Sequence, residues 1–287
     1  MFMVPQKSAL AEFIERYASI VVLSGAGCST ASGIPDYRHA DGTWKRAPPV
    51  SLRAFMGDAR MRQRYWARSL AGWPRFHRAC PNDAHRALAE LERRGRLALL
   101  VTQNVDGLHQ AAGSTRVLDL HGRLDRVCCM MCGACSEREA LQLELLRRNP
   151  GWAQLRASAA PDGDADLACT DLADFEVPTC ERCDGVLKPD VVFFGESVPP
   201  ERVTRAMQAV RAADAMLVIG SSLMVYSGYR FVHAAALAGK PVAAVNLGRT
   251  RADELLALKI DAPCASALGF LLTGGAQRAR GIGGAAR

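Results

Sequence analysis

No apolar run in the 287 residues reaches 18, so nothing in the sequence reads as a membrane-spanning helix. The opening Met1-Phe2-Met3-Val4-Pro5-Gln6-Lys7-Ser8 lacks a charged region ahead of a long apolar core, which leaves no secretory signal to expect. Without one, the ten cysteines read as thiols or metal ligands in a reducing compartment, by default the cytoplasm, and not as a disulfide framework. No dense Lys/Arg block appears and no basic stripe is interleaved with aromatics. The net charge of +7 therefore allows anionic ligands without pointing to nucleic acid. No internal repeat is found, and nothing sets an oligomeric state; a monomer is allowed. What is present is globular: 49% hydrophobic and 23% charged residues exclude a disordered chain. At this length roughly three quarters of the unfolded surface can be buried, so no covalent staples are needed.

Six short apolar runs punctuate the chain: Ile20–Leu23, Leu97–Val101, Val117–Leu120, Val191–Phe194, Met216–Ile219 and Val242–Val245. Nearly continuous apolar strands suit a parallel sheet buried on both faces. Helical patterns lie between them. Ser8–Tyr17 puts Leu10, Phe13, Ile14 and Tyr17 on one face, and Pro81-Asn82-Asp83 opens a helix carrying Ala87, Leu88 and Leu91 that stops at Gly95. Two more run from Pro200 through Val210 and from Gly228 to Leu237. The alternation predicts an α/β fold with an open sheet and right-handed crossovers. Residues 39–80 carry aromatics and Arg but no strand signal, and read as a helical insertion. Residues 125–187 hold seven of the cysteines and an exposed loop at Pro161-Asp162-Gly163-Asp164. The two insertions form a smaller second domain; residues 1–38, 81–124 and 188–273 make the sheet domain, and the tail from Gly274 reads as frayed.

The first strand runs into Ser24-Gly25-Ala26-Gly27-Cys28-Ser29, a glycine-rich turn of the kind that lets backbone N–H groups approach a phosphate. The spacing departs from G-x-G-x-x-G, since Thr30 stands where the third glycine is expected, and a plain tight crossover is the alternative. Other strands end in Gln103-Asn104-Val105-Asp106, His121-Gly122, Gly220-Ser221-Ser222 and Asn246-Leu247-Gly248. Ligands of open α/β sheets sit beyond the carboxyl ends of the strands, so these polar tips should converge on one crevice. Cys129-x-x-Cys132 and Cys180-x-x-Cys183 are paired knuckles with the spacing of a closed, structural tetrahedral zinc site. Cys132-x-x-Cys135 is a competing register; Gly133, following the second ligand where the chain must turn, favours the first. A redox dithiol is the alternative to metal.

In combination, Gly25-Ala26-Gly27, Ser32-Gly33-Ile34-Pro35-Asp36-Tyr37-Arg38, Gln103-Asn104-Val105-Asp106, His121-Gly122, the four cysteines, Lys188–Glu196 and Gly220-Ser221-Ser222-Leu223 resemble the sirtuin family of NAD-dependent protein deacylases. Arg64–Arg68 and Val225–Arg230 are most similar to its class II. Tyr37 stands where the family usually has Phe. The likeness spans roughly residues 5–272. It implies a Rossmann-like domain that consumes NAD: nicotinamide leaves, the acyl-lysine oxygen attacks the ribose carbon, and a histidine deprotonates a ribose hydroxyl. His121 matches that base, with a free-imidazole pKa suited to neutral pH.

By the same resemblance, Asn104 and Asp106 grip the nicotinamide ribose and carboxamide, with an Asx turn as the alternative. Tyr37 shields the ribose centre and Arg38 holds a ribose or phosphate, while Ser222, Asn246 and Cys264 match the adenosine end. Cys264 fits equally well as a small buried apolar residue. Gly25, Ala26, Gly27, Ser29, Pro35, Asp36, Gln103, Val105, Gly220, Ser221, Leu247 and Gly248 complete the expected nucleotide site. Acyl-lysine proteins or peptides enter as an added strand between Val192–Glu196, with Phe194, Gly195 and Glu196, and the loop Met224–Tyr226, with Val225 and Tyr226. Val192, Phe194 and Ile34 line the lysine tunnel, with ordinary core packing as their alternative. Tyr65 and Arg68 have the i, i+3 spacing found in sirtuins that remove acidic acyl groups, which implies tolerance of carboxylated or longer acyl chains and poor deacetylation; an exposed aromatic and a solvated Arg are the simpler reading.

Three other functions compete. Mono-ADP-ribosyl transfer shares the loss of nicotinamide. A zinc-ribbon protein binding nucleic acid wants the aromatic-interleaved basic stripe that is missing. A dehydrogenase wants an acidic residue about 20 positions after the glycine turn, and none stands there.

Overall fold

The computed structural model describes residues 4–45, 48–152, 158–159, 165–166, 172 and 174–273. Cys169, the expected loop at Pro161-Asp162-Gly163-Asp164 and the tail from Gly274 lie outside them.

Five of the six apolar runs form one parallel sheet: β1 (Ile20–Ser24), β2 (Leu97–Thr102), β3 (Val117–Asp119), β9 (Ala215–Ile219) and β10 (Val242–Val245). A short strand without an apolar run, β11 (Leu258–Ile260), adds one edge, giving the order β11-β10-β9-β1-β2-β3. Burial on both faces explains the unbroken apolar runs. Ile20 and Val22 of β1 pack with Leu10 of α1 (Val4–Arg16), with Leu88 and Leu91 of α4 (Asp83–Arg93), and with α9 (Cys264–Leu268) and α10 (Phe270–Thr273). Val21 and Leu23 pack on the other side with Val210 of α7 (Pro200–Ala212) and Phe231 and Val232 of α8 (Tyr226–Leu237). Each such side chain contributes about 1.5–3 kcal/mol when fully buried, so both helical layers are fixed to the sheet. The start of α4 is set by a capping box: Asn82 accepts from Ala84 N–H while the His85 ring accepts from Asn82 N–H.

Val191–Phe194 is the run that does not join the parallel sheet. Val191 ends β8 (Leu187–Val191), which pairs antiparallel with β4 (Gly122–Cys129), and β4 pairs with β5 (Cys135–Glu137). The residues after Val191 are apolar because they wall the cleft and pack against the helical insertion. A two-residue ladder joins β6 (Ser158–Ala159) to β7 (Ala165–Asp166).

The insertion holds α2 (Leu52–Gly57) and α3 (Ala59–His77), and the cysteine-bearing segment holds α6 (Arg138–Arg148). They share a core: Phe55, Tyr65, Trp66 and Leu70 pack with Val127, Leu141, Leu145, Phe175 and Phe193. One cysteine expectation is corrected here. Cys128 and Cys135 face each other across β4 and β5, with Cα atoms 4.1 Å apart, and are joined as a disulfide. Opposite positions on an antiparallel pair bring two thiols into bonding range.

Candidate active site

The strand order reverses between β1 and β9, and the site opens there. The turn after β1 folds as two short 3-10 turns, 26–28 and 30–32, and does not open an α-helix. Gly25 N–H donates to Ile219 O and Gly27 N–H to Gly220 O, both at 2.9 Å. A Cβ on Gly25 would lie 2.8 Å from Gly220 O, and one on Gly220, whose φ is +63°, would lie 2.3 Å from Cys28 N. These glycines are needed because two strand-end loops cross backbone to backbone.

Gly25, Ala26, Gly27, Ser29, Asp36, Tyr37, Arg38, Gln103, Asn104, Val105, Asp106, His121, Gly220, Ser221, Ser222, Asn246 and Leu247 line one cleft of about 310 Å³. Ile34, Tyr65, Val192, Phe194, Gly195, Glu196 and Val225 from the expected substrate side line the same cleft. Pro35, Arg68, Tyr226, Gly248 and Cys264 are not among its lining. Cys264 opens α9 and is buried in the core with Cys28, which is its apolar alternative. Gly248 packs on the Ala40 backbone, and Tyr226 is exposed.

Ser29 organises the floor. Its hydroxyl accepts from Asn104 Nδ2 at 3.0 Å and donates to Asp106 Oδ2 at 2.6 Å. Asn104 Nδ2 also donates to Gly25 O at 3.1 Å. Asp106 Oδ1 accepts from Leu108 N–H at 3.0 Å, so the Asx turn is real and the carboxylate lines the cleft as well. Burial raises the Asp106 pKa, and the Ser29 hydrogen bond works against that rise. Below lie Cys28, His85 and His109, all buried, with ligand-type atoms within 4.8 Å of one another. Both ring nitrogens of His85 are engaged, Nδ1 by Asn82 N–H and Nε2 by Ser29 Oγ at 3.4 Å, so the trio reads as hydrogen-bonded support and not as a metal centre.

His121 follows β3. Its Nδ1 lies 3.0 Å from Gln103 O; a carbonyl only accepts, so Nδ1 carries the proton and Nε2 is the basic atom. Burial pushes its pKa down to about 4, with Arg202 and Arg230 adding to the fall and the Gln103 carbonyl opposing it. The ring is therefore neutral at pH 7. Gln103 itself is pinned by Nε2 donation to Ser221 Oγ at 2.8 Å and to Ser24 O at 3.2 Å.

On the substrate side, Val192 N–H donates to His121 O at 2.8 Å, and Phe194 O accepts from Leu52 N–H at 2.9 Å. The segment is braced by an ion pair between buried Lys188 and partly exposed Glu196. Lys188 Nζ donates to Glu196 Oε2 at 3.1 Å, and the same oxygen accepts from Phe193 N–H at 2.8 Å. Tyr65 is held in the cleft wall by edge contacts with Phe55 and Trp66, at 5.3 and 5.2 Å between centroids, and by a tilted contact with Phe193 at 5.4 Å. Arg68 is half-buried one turn on. Met224 of the expected substrate loop lines the cleft, and so do Trp44 and Ser227, for which the sequence gives no site reading. Trp44 carries the Arg38 guanidinium 3.8 Å from its ring centroid. A lone aromatic in an Arg-rich insertion gives no sequence signal of that role.

Cys129, Cys132, Cys180 and Cys183 bring their sulfurs within 4.8 Å of one another, with Cys129–Cys183 at 3.5 Å and Cys132–Cys180 at 3.7 Å. Zinc–sulfur bonds of about 2.3 Å in a tetrahedron require edges of about 3.8 Å, so the four thiolates fit zinc. A Cβ on Gly185 would lie 2.7 Å from Cys129 Sγ, so the second knuckle demands glycine there. The cluster lies apart from the cleft lining and has no open position for chemistry.

The model of the Sir2 family matches residues 25–227. A protein of Xanthomonas campestris pv. campestris (strain 8004) described as an NAD-dependent protein deacetylase is 65% identical over 263 residues, covering 92% of this chain and 90% of its own. One of Bordetella bronchiseptica with the same description is 62% identical over 89% and 93%. Among solved structures, "Sir2-p53 peptide-NAD+" aligns with a TM-score of 0.77 and 28% identity, over 94% of this chain and 98% of that one. The glycine turn and His121 fall inside the span matched by the family model, and the chain belongs to the Sir2 family.

Proposed function

We propose that the protein is an NAD-dependent protein-lysine deacylase of the deacetylase type, with His121 as its base. The observation that carries the reading is the neutral His121, its Nε2 unprotonated, in a cleft floored by Ser29, Asn104 and Asp106 at the switch point of a parallel sheet. NAD supplies the departing nicotinamide and the ADP-ribose that receives the acyl group. In this reading His121 Nε2 takes the proton of a ribose hydroxyl, and Asn104 and Asp106 orient the nicotinamide end. Tyr37 and Arg38 cover the ribose, and Ser222 and Asn246 face the adenosine end.

The acyl-lysine stem runs past Ile34, Val192 and Phe194 toward Tyr65, with the peptide backbone between the Gly195–Glu196 segment and Val225. Because Arg68 is not in the cleft lining, an acetyl group is the natural fit, and carboxylated acyl groups are expected to be slower. Zinc on the four cysteines holds the smaller domain, which comprises residues 39–80 and 125–187. We place the activity in the cytoplasm, with acyl-lysine proteins or peptides as partners and neither nucleic acid nor membrane required.

Incubating the protein with NAD and acetyl-, glutaryl- and lipoyl-lysine peptides, while following nicotinamide and peptide mass together, tests this. Equimolar nicotinamide and deacylated peptide are expected. Nicotinamide release without acyl-peptide, with mass added to protein, would favour ADP-ribosyl transfer instead.

A further inference from the structure

The basic nitrogen of His121 already has a partner. Ser227 Oγ lies 2.8 Å from Nε2. Because Nδ1 keeps its proton for the Gln103 carbonyl, Nε2 accepts and the Ser227 hydroxyl donates. Ser227 sits in the first turn of α8, and that turn is seated on the same glutamine. A Cβ on Gly228 would lie 2.4 Å from Gln103 Oε1, and Gly228 N–H donates to Val225 O at 3.2 Å. Gln103 thus fixes the ring through its carbonyl and the hydroxyl through the helix that carries it.

We propose that Ser227 is a positioning residue for the base. Its hydroxyl keeps the Nε2 lone pair aimed into the cleft and, by donating to the neutral imidazole, resists protonation until a ribose hydroxyl takes its place. The inference rests on the reading of His121 as base and adds a residue to it. When the ribose O–H bond breaks and the proton forms a bond to Nε2, Ser227 keeps its own proton, rotates, and accepts from the new Nε2–H. A donor to the neutral form lowers a pKa, so removing the Ser227 hydroxyl should let the His121 pKa rise.

The charged groups facing His121 are Arg202 from α7 and Arg230 from α8, both opposing its protonation. Asp190 on β8 lies 3.9 Å from Arg202, and Asp119 on β3 is within Coulombic reach of the same arginine. None of them changes in a Ser227 variant.

The test uses the full chain with Ser227→Ala and Ser227→Thr. Two readouts are taken: the His121 titration by NMR on histidine-labelled protein, and the pH profile of kcat and kcat/KM. Ser227→Ala is expected to raise the His121 pKa, and with it the acid limb of the profile, by about 0.5–1 unit, the worth of one hydrogen bond. It should lower kcat at neutral pH about 3- to 30-fold through lost ring orientation, with KM for NAD nearly unchanged, and Ser227→Thr should restore both. A His121 pKa and acid limb within about 0.2 unit of the parent in Ser227→Ala would overturn the proposal, since a real donor is worth more. If the parent chain shows no NAD-dependent turnover while the NMR shift appears, the functional reading fails and the Ser227 contact stands.

Discussion

His121 shows how far single residues were legible. The proposal of it as the base follows from a His-Gly pair at a strand end within a set of family-like motifs. Its tautomer does not, because that depends on a carbonyl 18 residues earlier in the chain and 3.0 Å away. Ser29, Asn104 and Asp106 were each visible as polar tips, yet the hydroxyl that links them and the imidazole beneath are spatial facts with no spacing rule. Arg68 illustrates the converse: i, i+3 spacing gives a shared helix face, but α3 turns that face only as far as Tyr65 into the cleft. Burial of three imidazoles has a consequence for stability. His85 and His121 are held near a pKa of about 4, and His109 well below its usual value, all mainly by burial. The unfolded chain therefore binds protons first as pH falls, so stability is full above about 6.5 and is lost progressively as pH drops toward 4. Urea midpoints at pH 7.5, 6 and 5 should fall in that order; a midpoint unchanged at pH 5 would contradict the buried neutral rings.

Among elements, the central strands were easy to find because burial on both faces leaves no polar position to break the run. The edge strand β11 and the one-sided strand β4 were not. Leu258-Lys259-Ile260 is too short, and in β4 the buried residues Gly122, Leu124, Val127 and Cys129 lose their period of two at a bulge. Val191–Phe194 misled for the opposite reason: an apolar run can serve a cleft wall as well as a sheet. That wall depends on the Lys188–Glu196 brace. Glu196→Ala leaves a buried ammonium without its carboxylate and Phe193 N–H without its acceptor. It should cost about 3 kcal/mol of stability. It should also raise KM for the acyl-peptide more than KM for NAD, and equal changes in the two would argue against a bracing role for the pair.

The whole molecule is a sheet domain whose two insertions fold onto each other. Because Phe193 and Tyr65 belong both to the shared core of the insertions and to the cleft, the zinc knuckles act on the site through packing and not through chemistry. Metal analysis should give one zinc per chain. Cys180→Ser should abolish it, lower the unfolding midpoint substantially and reduce turnover by loosening the cleft wall. A zinc-free variant of unchanged stability would separate the knuckles from the fold. The sequence showed this division of labour through cysteine spacing, but not the common core, which only the packing of α3 against α6 and β4 creates.

The most direct test of one nucleotide cleft built from distant strand ends is His121→Ala, assayed for nicotinamide release and acyl transfer alongside NAD binding by calorimetry. Deacylation should fall about 10²- to 10⁴-fold while NAD still binds and the fold persists. Turnover within a few-fold of the parent would show that the imidazole at 121 is not the base.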